Sequence, residues 1–203
     1  MELVEADQER IAIAVAQAEQ LSSAEIVCVL ARSSSDYAMI PLVWAASTAL
    51  VVPAPLIAFT ELSAHRIYLL QSVVFAIASI ILSLPALRFN LVPRRLKRAR
   101  AYDMALRQFR MREVASTGGR TGVLIFVSMA ERYARIVVDD AVAAVIEQSQ
   151  WQLAVDELVD GMREGRIADG YVAAIKRCGD LLAAHFQLVA DDKDELPNRI
   201  ILL

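Results

Sequence analysis

The chain has 203 residues, of which 57% are hydrophobic, and its net charge is −3. This length fits one folded domain and one additional element, so a large multidomain protein is excluded. The acidic start, Met1–Arg10, is not followed by an apolar run, which argues against a cleaved signal peptide. The two cysteines, Cys28 and Cys178, are expected to be reduced, buried side chains rather than a disulfide or redox pair.

The chain begins with a predicted amphipathic helix, Glu5–Leu21, followed by a short apolar run, Glu25–Ala31. Four apolar residues of the helix recur at steps of three and four, which places them on one face. They are Ile11, Val15, Ala18 and Leu21. The second run is rich in β-branched residues, and this pattern predicts a buried strand.

Two apolar runs, Met39–Phe59 and Ile67–Leu87, then follow, each of 21 residues and without any charged residue or histidine. About 20 apolar residues cross a bilayer as a helix. The sequence therefore predicts a transmembrane helical hairpin whose short connection is Thr60–Arg66. Because Pro53 and Pro55 interrupt the first run, we expect that span to be kinked. The alternative, a buried hairpin in a soluble protein, normally shows a polar stripe, and neither run has one.

A basic segment, Arg88–Arg112, comes directly after the second run and contains nine Lys or Arg residues and one acid, Asp103. Basic residues near the end of a span stay on the cytoplasmic side. We therefore expect a multi-pass protein of the inner (plasma) membrane with both termini in the cytoplasm. The expected contact of the basic segment is with the lipid bilayer and its anionic headgroups, each residue contributing roughly 1 kcal/mol. Nucleic-acid binding is disfavoured because aromatic residues are not interleaved with the charges, and docking of a protein partner remains open.

After the basic segment begins, the pattern predicts a helix, two strands paired as a hairpin, and three further helices. The predicted helices are Pro93–Val114, Ala141–Glu147, Trp151–Arg163 and Ala168–Phe186, and the strands are Thr121–Met129 and Tyr133–Asp140. The apolar stripe of the first helix is expected to contain Leu96, Ala99, Leu106 and Phe109. Glu131 and Arg132 are expected to form a solvated turn between the strands. Ile200–Leu203 fits either a last strand or an exposed end.

Strands on both sides of the helical hairpin indicate one interrupted domain. Two strands joined through a helix are usually parallel, so the expected fold is a small α/β sandwich with a mixed sheet of three to four strands. The predicted domain is discontinuous, residues 1–37 and 93–203, and residues 38–92 form the transmembrane hairpin.

Several short stretches of this sequence resemble the TPM domain family. They are Ser23–Leu30, Thr117–Arg132, Ile136–Asp140, Trp151, Met162–Ile175 and Glu195–Pro197. The resemblance implies an α/β sandwich with a central mixed sheet, and members are linked to phosphatase activity, calcium binding, photosystem repair or accessory roles on receptors. The sequence differs from the commonest pattern because it lacks a signal peptide and because its spans interrupt the domain. Both differences argue against an extracytoplasmic role.

Three acidic residues and one arginine are expected at one end of the sheet: Glu25, Asp139, Asp140 and Arg120. Carboxylates with loop oxygens suit Ca²⁺ or Mg²⁺, and a bound metal can polarise a phosphoryl oxygen. Arg120 would then contact an anion. The alternative is a solvated acidic turn in which Arg120 forms an ordinary salt bridge. Because side chains alternate along a strand, Asp139 and Asp140 can both face inward only where the strand has ended.

Two functions fit this sequence. The first is a non-catalytic accessory or assembly module, anchored in the membrane, that docks other proteins. It is favoured because the sequence contains no serine nucleophile elbow, CxxC, HExxH or Walker loop. The alternative is a divalent-metal-dependent, phosphatase-like hydrolase that uses the acidic end of the sheet.

Overall fold

The computed structural model describes residues 3–112, 121–187 and 197–203. The chain divides into two compact units, of which the first is formed by Met1–Ser34 and Ala99–Leu203 and the second by Ser35–Arg98. The first unit contains a four-stranded mixed sheet in the order β3-β2-β1-β4. The strands are β1 (Ile26–Ala31), β2 (Val123–Ser128), β3 (Tyr133–Val138) and β4 (Ile201–Leu202).

The sheet pairs strands that lie far apart in the sequence. β1 is parallel to both β2 and β4, with Ile26 opposite Val123, whereas β2 and β3 are antiparallel. The predicted parallel pairing, the β2–β3 hairpin and the mixed α/β class are therefore confirmed. Ile200–Leu203, for which two structures were considered, contains the short strand β4.

Helices cover both faces of this sheet, which explains why every residue of β1 and β2 is buried. The helices of the chain are α1 (Glu5–Glu19), α2 (Met39–Val51), α3 (Pro53–Phe59), α4 (Ala64–Leu82), α5 (Pro85–Leu91), α6 (Arg94–Met111), α7 (Asp140–Ala143), α8 (Gln148–Arg163) and α9 (Ile167–His185). Residues of α1, α8 and α9 join the core on one face, and residues of α6 join the core on the other.

The predicted apolar faces of two helices need correction. In α6 the buried residues are Ala101, Ala105 and Phe109, whereas Ala99 is exposed. A face of small residues four apart lets this helix lie close to the sheet, although larger side chains such as Leu106 lie beside it. In α1, Leu21 falls beyond the helix and is exposed.

The second unit contains α2 to α5, with α2 and α4 packed against each other. Ala45 and Ala49, one helical turn apart, are buried in this unit, and such small residues let two helices approach closely. The helical structure of the first apolar run is interrupted at Val52, directly before Pro53. Met39–Phe59 and Ala64–Leu82 are long and apolar enough to cross a membrane, and few of their residues are buried.

Candidate functional site

The acidic end of the sheet is formed where β1, β2 and β3 meet. The backbone N–H of Val123 donates to the carbonyl oxygen of Glu25 at 2.8 Å, and that of Asp139 donates to Gly122 at 3.0 Å. Glu25 and Asp139 therefore lie on either side of Gly122, about 10 Å apart across two strand spacings. Because side chains alternate along a strand, Glu25 lies on the same face of the sheet as Val27, and Asp139 lies on the same face as Val137. The side chains of Val27 and Val137 belong to the core on the α6 face.

Asp139 is the buried member of the two adjacent aspartates. β3 ends at Val138, and Asp139 caps the N-terminus of α7 by accepting the Asp140 N–H with its Oδ1 atom at 2.6 Å. Its Oδ2 atom is also buried and accepts no hydrogen bond from the residues that the structure describes. Asp140, the first residue of α7, is exposed. The end of the strand therefore separates the environments of the two carboxylates.

The other two predicted site residues have different positions. Glu25 is buried at the end of β1, and Arg120 lies outside the described residues. Within the described ranges, no group of three or more His, Cys, Asp or Glu side chains is placed to hold a metal ion. Ca²⁺ takes six to eight oxygen ligands. At this end the described side chains offer two buried carboxylates, so further oxygens would have to come from backbone or water.

The opposite end of the sheet contains a buried polar cluster around Glu131, which corrects the expectation of a solvated turn. Both carboxylate oxygens of Glu131 accept the backbone N–H of Ser34 at 3.1 Å. The Ser33 hydroxyl donates to the same carboxylate at 3.2 Å, and the Ser128 hydroxyl donates to it as well. Ser34 in turn donates its hydroxyl to Ser128 at 2.8 Å. Glu131 thereby fixes the chain directly after β1.

Sequence reasoning missed this cluster because its members are separated by nearly a hundred residues. The available signal was the serine run Ser33–Ser35 at the end of a buried strand. Parallel pairing of β1 with β2 brings that run beside the turn that follows β2, where Glu131 lies.

A pocket of about 580 Å³ lies next to this cluster, between the β2–β3 turn and the C-terminal half of α8. Its wall contains apolar side chains, among them Val127, Val159 and Met162, and two arginines, Arg132 and Arg163. Arg132 has a φ of 50°, an uncommon backbone conformation for a residue other than glycine. Arg163 forms an exposed ion pair with Asp160 at 3.0 Å.

The basic segment presents most of its charges to solvent. Its exposed members are Arg94, Arg95, Arg98, Arg100, Arg107 and Arg110. Two others are engaged within their own units. Arg88 forms an ion pair with Asp36 at 3.0 Å and lies over the Phe89 ring, and Arg112 donates to Gln108 at 3.0 Å. Partial burial lowers the pKa of Arg112.

Known proteins resemble this chain in sequence over one segment and in fold over its whole length. Residues 87–181 match the TPM domain. None of the curated proteins matches the chain. Among solved structures, the BA42 protein from the psychrophilic bacterium Bizionia argentinensis, determined by NMR, has a similar fold. The TM-score is 0.63 at 19% identity, with 100% of this chain and 97% of that chain covered. The resemblance to the TPM domain family is thus confirmed, and residues 87–181 are the part of the chain that carries it.

Proposed function

We propose that the protein is an integral membrane protein whose TPM domain faces the cytoplasm and acts as a non-catalytic accessory or assembly module. The observation that carries this proposal is the pair of long apolar helices, Met39–Phe59 and Ala64–Leu82, few of whose residues are buried. A soluble protein rarely exposes contiguous apolar surface of this size, whereas a bilayer would cover it.

The proposed orientation rests on charge. Four exposed arginines of α6 follow the second apolar helix within the roughly 15–20 residues over which basic residues set topology. They are Arg94, Arg95, Arg98 and Arg100. In this proposal the discontinuous domain, residues 1–37 and 93–203, lies at the inner face of the membrane. Its arginines contact anionic lipid headgroups, and the domain docks a protein partner.

Reporter fusions test this orientation. A reporter that is active in the cytoplasm, fused after Leu203, is expected to be active, and one inserted within Thr60–Arg66 is expected to be silent. A reporter that is active in the periplasm should give the opposite pattern. Activity of the periplasmic reporter after Leu203 would refute the orientation, and recovery of the full chain as a soluble, monodisperse protein without detergent would refute membrane insertion.

A divalent-metal-dependent, phosphatase-like activity is the second candidate, and Asp139 is the observation that favours it. A buried carboxylate oxygen without a hydrogen-bond donor among the described residues is costly, and a cation would compensate that cost. Asp139 and Glu25 would hold Ca²⁺ or Mg²⁺, which would polarise a phosphoryl oxygen, with Asp140 and Arg120 as further candidate contacts.

Calorimetric titration of the full chain with Ca²⁺ and Mg²⁺ tests this second candidate. Metal binding that is lost in Asp139→Asn and retained in Asp156→Asn, an exposed aspartate of α8, would support it. Phosphatase activity with the same dependence would favour the hydrolase over the accessory module. Absence of binding at millimolar metal would exclude the hydrolase in this form.

A further inference from the structure

β3 forms one edge of the described sheet, and the phase of its hydrogen bonds shows which groups face outward. Because the N–H of Asp139 donates to Gly122, the alternation of an antiparallel ladder directs the backbone groups of Tyr133, Arg135 and Val137 toward β2. The N–H and C=O groups of Ala134, Ile136 and Val138 therefore face away from the sheet.

These outward groups are not paired within the described sheet. No hydrogen bond from the described residues reaches the backbone of Ala134, Ile136 or Val138. Natural edge strands are commonly protected by charged side chains, above all lysine, by proline or by a bulge. The one charged residue of β3, Arg135, lies over the Tyr102 ring. β3 contains neither proline nor lysine, and its pairing with β2 is continuous over all six residues. The edge of β3 therefore lacks these common protections against addition of another strand.

The groove beside this edge offers a place for side chains. Ala134, Ile136 and Val138 belong to the core on the face that α8 covers. The pocket of about 580 Å³ opens at the Ala134 end of the same face and includes Val159 and Met162 of α8 in its wall. A strand added beside β3 would direct alternate side chains to this face, so one apolar side chain would enter the pocket.

The charge at the pocket indicates which residue of the added strand would lie next to its apolar side chain. Arg132 is exposed and belongs to the pocket wall. Arg163 lies in the same wall, and its ion pair with Asp160 is exposed, so it contributes little and can be exchanged. Arg135, by contrast, lies over the Tyr102 ring at 4.6 Å. Two guanidinium groups at one pocket favour a carboxylate, which each can bind through paired N–H donors.

We propose that the outer edge of β3 binds an extended, acidic peptide segment of a partner protein by strand addition. Backbone hydrogen bonds form with Ala134, Ile136 and Val138, an apolar side chain of the peptide fills the pocket, and an adjacent carboxylate contacts Arg132. This mode of recognition combines main-chain affinity with side-chain specificity. The inference rests on the proposed accessory function, because it supplies the docking site which that function requires.

The probe for this binding site is a phage-displayed library of random ten-residue peptides, selected on the full chain in lipid nanodiscs. Enriched peptides are expected to carry an apolar residue next to Asp or Glu. In hydrogen exchange, binding of a synthetic copy is expected to slow the amides of Ala134, Ile136 and Val138 by about tenfold or more. The alternating amides of Tyr133, Arg135 and Val137 should be slow before the peptide is added.

Two variants test the parts of the site separately. Ala134→Pro removes an outward N–H that does not pair with β2, and it is expected to weaken binding by about tenfold. Arg132→Gly removes the cation while glycine accepts the positive φ without strain, so the fold should persist while affinity falls by about fivefold. Lys176→Gln, which removes an exposed charge on α9, should leave affinity unchanged.

Four results would overturn the inference. The first is absence of enrichment, the second is binding that protects other amides, and the third is equal binding by Arg132→Gly and the original chain. Protection of the β3 edge that rises with protein concentration in the absence of peptide would assign the edge to a second copy, which also overturns it. The topology reporters distinguish failure of this inference from failure of the proposed function. A cytoplasmic domain that binds no peptide would refute the β3 site alone.

Discussion

Cys28 of β1 and Cys178 of α9 lie in the same core and are completely buried. Burial raises the pKa of the Cys28 thiol well above its usual value and raises the pKa of Cys178 to about 12. Since the thiolate is the nucleophile, we expect neither cysteine of the folded chain to react with iodoacetamide at pH 8. Both should react in guanidinium chloride, and mass spectrometry can count the adducts.

The raised pKa values of the two thiols also determine how the stability of the fold changes with pH. In the unfolded chain the thiols ionise near pH 8.5, whereas in the folded chain they stay protonated to higher pH. The associated stability is therefore fully present below about pH 8.5 and is lost as the pH rises toward the folded pKa. Denaturation midpoints should decline from pH 8 to pH 10, and less so in Cys178→Ala. Rapid alkylation of the folded chain would contradict the burial.

Glu131 provides a second test at this scale. Glu131→Gln replaces a carboxylate that accepts hydrogen bonds from Ser33, Ser34 and Ser128, and an amide has one acceptor oxygen in its place. We expect a loss of about 1–3 kcal/mol in the free energy of unfolding. Guanidinium unfolding, followed by Trp151 fluorescence in a Trp44→Phe background, measures it. Glu147→Gln, at an exposed position, should change stability by less than about 0.5 kcal/mol.

At the scale of elements, α8 and α9 approach each other through glycine. A Cβ atom added at Gly161 would lie 2.5 Å from the Cα atom of Gly170, and one added at Gly170 would lie 2.8 Å from the carbonyl oxygen of Leu158. These are backbone atoms, which cannot move aside as the end of a side chain does. The two helices can therefore keep this distance only with glycine at the crossing.

Gly161→Ala and Gly165→Ala separate close packing from backbone conformation. Gly161→Ala forces the helices apart and should cost about 1–3 kcal/mol or more. Gly165 has a φ of 76°, and a Cβ atom added there would meet open space, so alanine should cost about 1 kcal/mol through strain alone. The denaturation midpoint of Gly161→Ala should therefore be lower than that of Gly165→Ala. Equal losses would show that the close approach of the helices constrains position 161 no more than the positive φ constrains position 165.

The periodicity of apolar residues predicted where helices and strands occur better than it predicted which residues of a helix are buried. β1 and β2 were predicted because a continuous apolar, β-branched run is typical of a strand covered on both sides. The predicted face of α6 was right at Phe109 but missed Ala101 and Ala105, because alanine carries a weaker hydrophobic signal than Leu96 or Leu106. β4 has two residues, and its structure depends on pairing with β1, so local sequence could not decide it.

At the scale of the whole molecule, the sequence could predict those parts of the candidate sites that depend on strand direction, but not those that depend on distant contacts. Glu25 and Asp139 could be assigned to one end of the sheet because strand direction alone determines which ends meet. The Glu131 cluster could not, since its burial depends on contact with Ser34, which is 97 residues away. The pocket beside it depends on where α8 ends above the β2–β3 turn, which is a tertiary property that no single segment specifies.

The proposed orientation of the chain depends on the basic residues that lie near the end of the second apolar helix. Replacing Arg94, Arg95, Lys97 and Arg98 with glutamine removes four charges within about 15–20 residues of the second apolar helix, where charge sets topology. We expect a measurable fraction of chains to insert with inverted orientation, seen as periplasmic reporter activity after Leu203. The reason is that Arg32, Arg88 and Arg100 then remain on the cytoplasmic side against Arg66 in the connection, so the charge difference that orients the chain is smaller.

Arg107→Gln together with Arg110→Gln is the control, because both positions are exposed but lie more than about 20 residues beyond the second apolar helix. This pair should keep the original orientation while it reduces contact with anionic lipid by about 1 kcal/mol for each charge that lies at the surface. Inversion by the control pair, or none by the quadruple variant, would show that α6 does not orient the chain. Its arginines would then have to serve the domain itself, as a docking surface for lipid or protein.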